Sequence, residues 1–221
     1  MLPRVIVHNM VSVDGRMDWF EANEAQFYET VKNWSEDCTL AGADTILDGD
    51  PQAAMEEPPT PVAAAQAEDD RPLLVVVDSR ARVKGWSFLR SQPHWRGVMT
   101  LCSETTPRTH LDLLHVRGVP HIVTGGSRVD LRESLARLHK DHGVRVVRVE
   151  SGGTLSGVLL RAGLVSVVSI LIHPALVGGS SPSSFFRAPD LMNTGGVIPL
   201  RLVGVERLGS DVVWLRYLVA K

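Results

Sequence analysis

The chain has 221 residues, 44% apolar and 22% charged, with a formal net charge of −2. This is ordinary globular composition without a dividing linker, so one domain over 1–221 is expected. No basic or aromatic-basic stripe invites nucleic acid, and no apolar run approaches the roughly 20 residues of a membrane span.

The opening MLPRVIVHNM carries a lone Arg4 and then polar His8 and Asn9, a poor secretory signal. RVIVH (4–8) reads as a buried first strand, followed by a polar segment with an Asp14-Gly15 turn. Residues 24–36 read as a helix with Phe27, Val31 and Trp34 one turn apart. CTLAGADTILDGDP gives a short strand, a break at Gly42, a helical piece and a loop ending at Asp50-Pro51. The Ala-, Pro- and acid-rich stretch 52–71 lacks periodicity and reads as an exposed loop.

LLVVVD (73–78), GVMTLC (97–102) and HIVT (121–124) are strands, the first a continuous apolar run suited to a sheet covered on both faces. DLRESLARLHKDHG (130–143) is a helix with Asp130 and Glu133 at capping spacing and Gly143 as its stop. VRVVRV (144–149) is a strand. A helix capped by Thr154 and stopped at Gly163 follows, then the strand SVVSILIH (166–173). Tight turns join these into a parallel βαβ unit, and the apolar runs around Gly209-Ser210-Asp211 form a C-terminal antiparallel hairpin.

The joint VESGGT places Glu150 and two glycines between a strand end and a helix start. Ligands of open α/β sheets gather at strand carboxyl ends, and unpaired amides at a helix start suit a phosphate. A tight turn with Thr154 as a cap explains the same residues equally well.

VESGGTLSGVLLRAGLV with ILIHPALVGG resembles the end of the reductase domain of the riboflavin-biosynthesis family. VSVDGRMD is similar to its Ser-x-Asp-Gly-(Lys/Arg) motif, LAGADTILDGDP to its Gly-x-x-Thr-Val-x-x-Asp-Asp-Pro segment, and RPLLVVVDSRARV to its Asp-Ser-x-x-Arg strand and turn. The resemblance implies a dihydrofolate-reductase-like three-layer α/β fold with a mostly parallel central sheet. It implies an NADPH-dependent oxidoreductase that turns the ribosylamino group of a pyrimidine ribosylamino 5′-phosphate into ribitylamino.

By that resemblance Thr45 and Asp50 border NADPH, and Asp78, Ser79 and Arg80 hold its adenosine end, with Arg80 or Arg82 at the 2′-phosphate. Glu150, Ser151, Gly152, Gly153, Thr154 and Leu155 form the pyrophosphate side. Asn9 and Ser12 bind substrate, and Asp14 positions it or assists the proton step. A small-molecule substrate, a homodimer and a cytoplasmic setting follow. The chain departs from the family where Ser151 enters the Glu-Gly-Gly turn, where Gly49 replaces an Asp, where Val167-Val168 replaces Asp-Glu, and where Glu56-Glu57 stands near a position that bacterial members give to a phosphate-binding arginine. Reduction of a pterin-like or other imine or carbonyl substrate is the alternative, as is an inactive nucleotide-binding module.

Other constellations carry less. Cys38 and Cys102 lack metal or disulfide spacing and read as buried thiols. His139 and His142 suit a helix C-terminus, and His173 suits packing near the site rim. Ser180-Ser181 and Ser183-Ser184 lack a nucleophile elbow. Gly125-Gly126-Ser127 offers a second phosphate turn. Trp19, Phe20, Phe27 and Trp34 either line a ring-stacking pocket or pack a core.

Overall fold

The computed structural model describes residues 1–58, 69–179 and 183–220. Residues 59–68 of the expected 52–71 loop and the Ser180-Ser181 pair lie outside the described residues.

Strand β1 (Arg4–Ser12) runs on past RVIVH because its following residues are also largely buried. Helix α1 (Glu24–Val31) starts where the Asn23 side chain accepts the Gln26 N–H, and it stops earlier than its apolar spacing predicts. Then come β2 (Cys38–Gly42), α2 (Ala43–Gly49) and a 3-10 turn, Pro51–Ala54, opened by the Asp50 side chain. Strand β3 (Leu73–Val77) leads to α3 (Trp86–Ser91), β4 (Gly97–Cys102), α4 (Arg108–Arg117) and β5 (His121–Val123). Helix α5 (Leu131–His142) has the expected Asp130 cap and a left-handed Gly143. After β6 (Val146–Val149), helix α6 (Gly153–Arg161) is capped by Gly152, so Thr154 lies inside the first turn and is not the cap. The chain closes with β7 (Val167–His173), β8 (Leu200–Arg207) and β9 (Val213–Val219). Among the described residues no helix is long and apolar enough to cross a membrane.

The chain forms two compact units, Met1–Pro3 with Glu36–Val147 and Arg4–Ser35 with Arg148–Lys221. In the first, β5, β4, β3 and β2 follow one another as parallel neighbours, with Val75 opposite Met99 and Ala41 opposite Val76. Trp86, Leu74, Val76, Val98 and Leu114 pack its core. Arg117 is wholly buried here. Its guanidinium donates to the backbone carbonyls of Lys84 and Glu57 and pairs with the Glu57 carboxylate, which satisfies a charge that burial would otherwise penalise.

In the second unit, β1 and β7 are parallel with Ser12 opposite His173, whereas β9 joins β7 antiparallel and β8 closes the hairpin. This is the mostly parallel α/β arrangement with a C-terminal antiparallel hairpin. Phe27, Leu171, Val212 and Trp214 form a core with Val31 and Trp34 packed against it. The hairpin turn puts Ser210 and Asp211, not Gly209, at positive φ.

A buried relay crosses this core. The Trp214 indole N–H donates to Ser169 Oγ at 2.8 Å, and Ser169 lies 2.8 Å from His8 Nδ1. Thr30 Oγ1 donates to the Phe27 carbonyl at 2.7 Å, so it accepts from His8 Nε2 at 3.2 Å. The proton of the neutral imidazole therefore sits on Nε2. Burial, aided by the Arg148 charge, lowers the His8 pKa to about 3.

Candidate functional site

In the second unit the candidate residues collect at the carboxyl ends of β1 and β7. Asn9, on β1, is almost fully buried; its amide donates to the Ser151 carbonyl at 3.0 Å, while its Oδ1 has no partner among the described residues. Ser12 ends the strand and closes the following turn, accepting the Arg16 N–H on its hydroxyl at 3.0 Å and donating to Asp14 at 2.6 Å. Asp14 also accepts the N–H groups of Val177 and Gly178, at 3.1 and 2.6 Å. The Ser12 hydroxyl first, and then these two amides, hold the Asp14 carboxyl down at about 2. Asp14 is thus a fixed anion near neutral pH.

Glu150 answers to its neighbours in the same unit. One oxygen pairs with the buried Arg148 guanidinium, and the other accepts the Tyr28 hydroxyl at 3.4 Å. Burial and the Glu150 charge push the Tyr28 phenol up to about 12, so it remains a donor. Arg148 in turn lies 6.0 Å from the centre of the Phe27 ring.

The two glycines after Glu150 differ. A Cβ on Gly152 would enter open space, whereas one on Gly153 would lie 1.9 Å from the Ser184 carbonyl. Gly157, one turn on, is equally covered by the Arg187 carbonyl. Gly153 and Gly157 therefore let the 184–187 segment lie against α6, with Arg187 N–H donating to Gly153 O at 3.0 Å. Ser151 is buried, Thr154 is exposed and Leu155 is half-buried. The first backbone bond of the helix joins Ser156 N–H to Gly152 O, so the amides of Gly153, Thr154 and Leu155 precede its ladder.

In the first unit the candidates follow β2 and β3. Asp78 is buried, and its two oxygens accept the N–H groups of Arg80 and Val83, at 3.3 and 2.8 Å. Its carboxylate builds the turn on which Ser79 and Arg80 sit. The turn includes left-handed Ala81 and is held from the turn after β4 by Thr106 Oγ1, which donates to Ser79 O at 2.9 Å. Arg80 is exposed and its guanidinium has no partner among the described residues, whereas Arg82 pairs with Asp44 at 2.6 Å. Thr45 is half-buried in α2, and Asp50 accepts the Gln52 N–H at 2.9 Å.

Glu57 caps α3, accepting the N–H groups of Ser87 and Phe88, both at 2.9 Å, while Glu56 pairs with Lys84 at 3.4 Å. These acids serve the fold. Sequence reasoning missed the hydroxyl cluster after β4, where Ser103 Oγ lies 3.1 Å from Thr105 Oγ1 and Thr106 Oγ1 accepts the Ser103 N–H. The Gly125-Gly126-Ser127 turn faces it through backbone bonds to Glu104 and Thr105. A strand followed by Ser-x-Thr-Thr was the available signal. No group of metal-ligating side chains occurs among the described residues, and His139 bonds the Val144 carbonyl at the end of α5.

Residues 3–214 match the model of the RibD C-terminal domain family. Among curated proteins, the 2,5-diamino-6-ribosylamino-4(3H)-pyrimidinone 5′-phosphate reductase of Methanothermobacter thermautotrophicus is 28% identical over 96% of this chain and 97% of its own length. The protein of the same name from Archaeoglobus fulgidus is 29% identical over 95% of each. Among solved structures, Acinetobacter baumannii RibD matches with a TM-score of 0.73 at 23% identity. The match covers 99% of this chain, which spans 58% of that protein. The chain belongs to the RibD C-terminal domain family.

Proposed function

We propose that this protein is the NADPH-dependent reductase of riboflavin biosynthesis that converts the ribosylamino group of a pyrimidine ribosylamino 5′-phosphate to ribitylamino. The observation that carries this reading is the match, along nearly the whole of both chains, to a reductase named for that substrate. One family match running through both units supports treating 1–221 as one functional domain.

The residues present fit the cofactor. The space beside Gly152 would be filled by a Cβ, and Arg80 presents an unpaired guanidinium. Arg80 and Ser79 take the adenosine end with its 2′-phosphate, and Asp78 shapes their turn. Thr45 and Asp50 border the cofactor. The amides of Gly153, Thr154 and Leu155 take the pyrophosphate, with Ser151 and Glu150 framing the turn. When bound, NADPH supplies the hydride for the sugar C1 carbon.

Asn9 offers its Oδ1 to a substrate donor, and Ser12 and Asp14 orient the polar groups beside it. Asp14 is a positioning anion: a carboxyl held near 2 has no proton to give at neutral pH. A homodimer is part of this reading, because β8 leaves Leu202, Val203 and Val205 half-exposed along a sheet edge. Leu202→Asp is expected to yield monomers by light scattering. A cytoplasmic setting agrees with two buried, free cysteines.

The test is NADPH oxidation with 2,5-diamino-6-ribosylamino-4(3H)-pyrimidinone 5′-phosphate and with the ribosylaminouracil phosphate, each compared with dihydrofolate. Turnover of a ribosylamino phosphate and not of dihydrofolate is expected. Turnover of dihydrofolate alone would favour the pterin-like alternative, and saturable NADPH binding without turnover of any of them would favour an inactive module.

A further inference from the structure

Between Ser12 and α1 the loop 13–23 is pinned in several places. Ser12 and Arg16 close its first turn, and Met17 N–H donates to the Ser183 carbonyl at 3.2 Å. At the far end Asn23 N–H donates to His173 Nε2 at 3.1 Å, and the Phe20 ring centre lies 5.1 Å from that of His173. A backbone amide can only give its proton, so His173 Nε2 is an acceptor and the ring is neutral with its proton on Nδ1. Burial favours that neutral form by lowering the His173 pKa.

Trp19 stands between these anchors. Its φ is +69°, a left-handed conformation that a bulky residue seldom adopts, and its side chain is 88% exposed. The other aromatics of the neighbourhood behave differently. Phe27 and Trp34 pack in the core, and Phe20 lies on His173. The fold thus holds one indole out into solvent, in a strained backbone, without packing in return. Outliers of this kind cluster at ligand clamps.

The position fits. Ser12 and His173 are register partners at the carboxyl ends of parallel neighbours, the edge at which α/β sheets take ligands. The same edge carries the fixed Asp14 anion, and Asn9, three residues back from Ser12 along β1, has a buried acceptor with no partner among the described residues. These are hydrogen-bonding groups for the polar rim of a flat ring, and they lack a surface for its face. An indole supplies such a surface.

We propose that Trp19 is the stacking platform for the pyrimidine ring of the substrate and thereby a specificity-determining residue of this site. The inference rests on the proposed reductase reading, and its test separates the two. Binding of 2,5-diamino-6-ribosylamino-4(3H)-pyrimidinone 5′-phosphate and of the ribosylaminouracil phosphate, without NADPH, is measured by calorimetry for the wild-type chain, Trp19→Ala, Trp19→Phe and Trp19→Gly, alongside steady-state kinetics and thermal melting.

Trp19→Ala is expected to weaken substrate binding about tenfold and to raise KM for substrate with kcat and the KM for NADPH little changed. Trp19→Phe, which keeps a ring, recovers most of the loss. Trp19→Gly relieves the left-handed strain, so it melts higher than wild type while binding as poorly as Trp19→Ala. Unchanged substrate affinity in Trp19→Ala, or a loss confined to NADPH, overturns the proposal and leaves the reductase reading intact. Wild-type binding without turnover, lost in Trp19→Ala, keeps the platform and removes the reductase reading. A wild-type chain that neither binds nor turns over either compound removes both.

Discussion

The two units hold their turn carboxylates alike and differ in what stands beside them. In the first, Asp78, Asp50 and Glu57 each accept backbone N–H groups that the local turn or helix start would otherwise leave bare. Arg80 alone of the motif's charged side chains there stays open. In the second, Asp14 likewise accepts the Val177 and Gly178 N–H groups, while the buried Asn9 Oδ1 has no partner among the described residues and the first amides of α6 precede its ladder. An acidic residue in a recurring motif can thus be a builder of the turn, while the neighbour it displays is the binder.

That contrast can be broken first at Asp78. Asp78→Ala leaves two amides without acceptors and should destabilise the fold by about 2–4 kcal/mol, read by denaturant unfolding. An unchanged midpoint would show that the turn stands without it. Asp14→Asn sets an amide N–H against the Ser12, Val177 or Gly178 donors, so it should lower the melting point by a few degrees and lower kcat/KM on the order of 100-fold through misplacement. Because Asp14 is ionised throughout the neutral range, the loss should be uniform with pH; disappearance of an acid limb would instead make Asp14 the proton donor.

Arg80→Ala should weaken NADPH by about 1.5–3 kcal/mol and barely alter NADH. Equal weakening of both would remove the 2′-phosphate role. The most gradual effect belongs to His8. Its folded pKa of about 3 lies below the unfolded value of 6.5, so between them only the unfolded chain takes up the proton. Stability is full above 6.5 and falls by up to about 1.4 kcal/mol per unit as pH drops towards 3. His8→Gln should flatten that slope in pH-dependent unfolding.

Much of the fold was legible because parallel strands such as LLVVV and GVMTLC are continuous apolar runs. Helix α4 was not. Its buried residues are His110, Leu114 and Arg117, so two polar side chains occupy the inward face and erase the apolar period. Helix α3 was too short to show one. At the site, the turns were legible and the partners were not. Nothing in VESGGT separates Gly152, beside open space, from Gly153, roofed by another segment. Nor does WF reveal that Trp19 is exposed while Phe20 is packed, since the difference lies in backbone angles and in distant His173.

The relay through His8 has a direction. An indole can only give and a peptide carbonyl can only take, so the chain from Trp214 through Ser169, His8 and Thr30 to Phe27 is one-way. Its two ends thereby dictate the tautomer in the middle. Ser169→Ala would leave the indole without a receiver and the imidazole without a giver, so one lost hydroxyl would sever the C-terminal strand from the first helix at both joints.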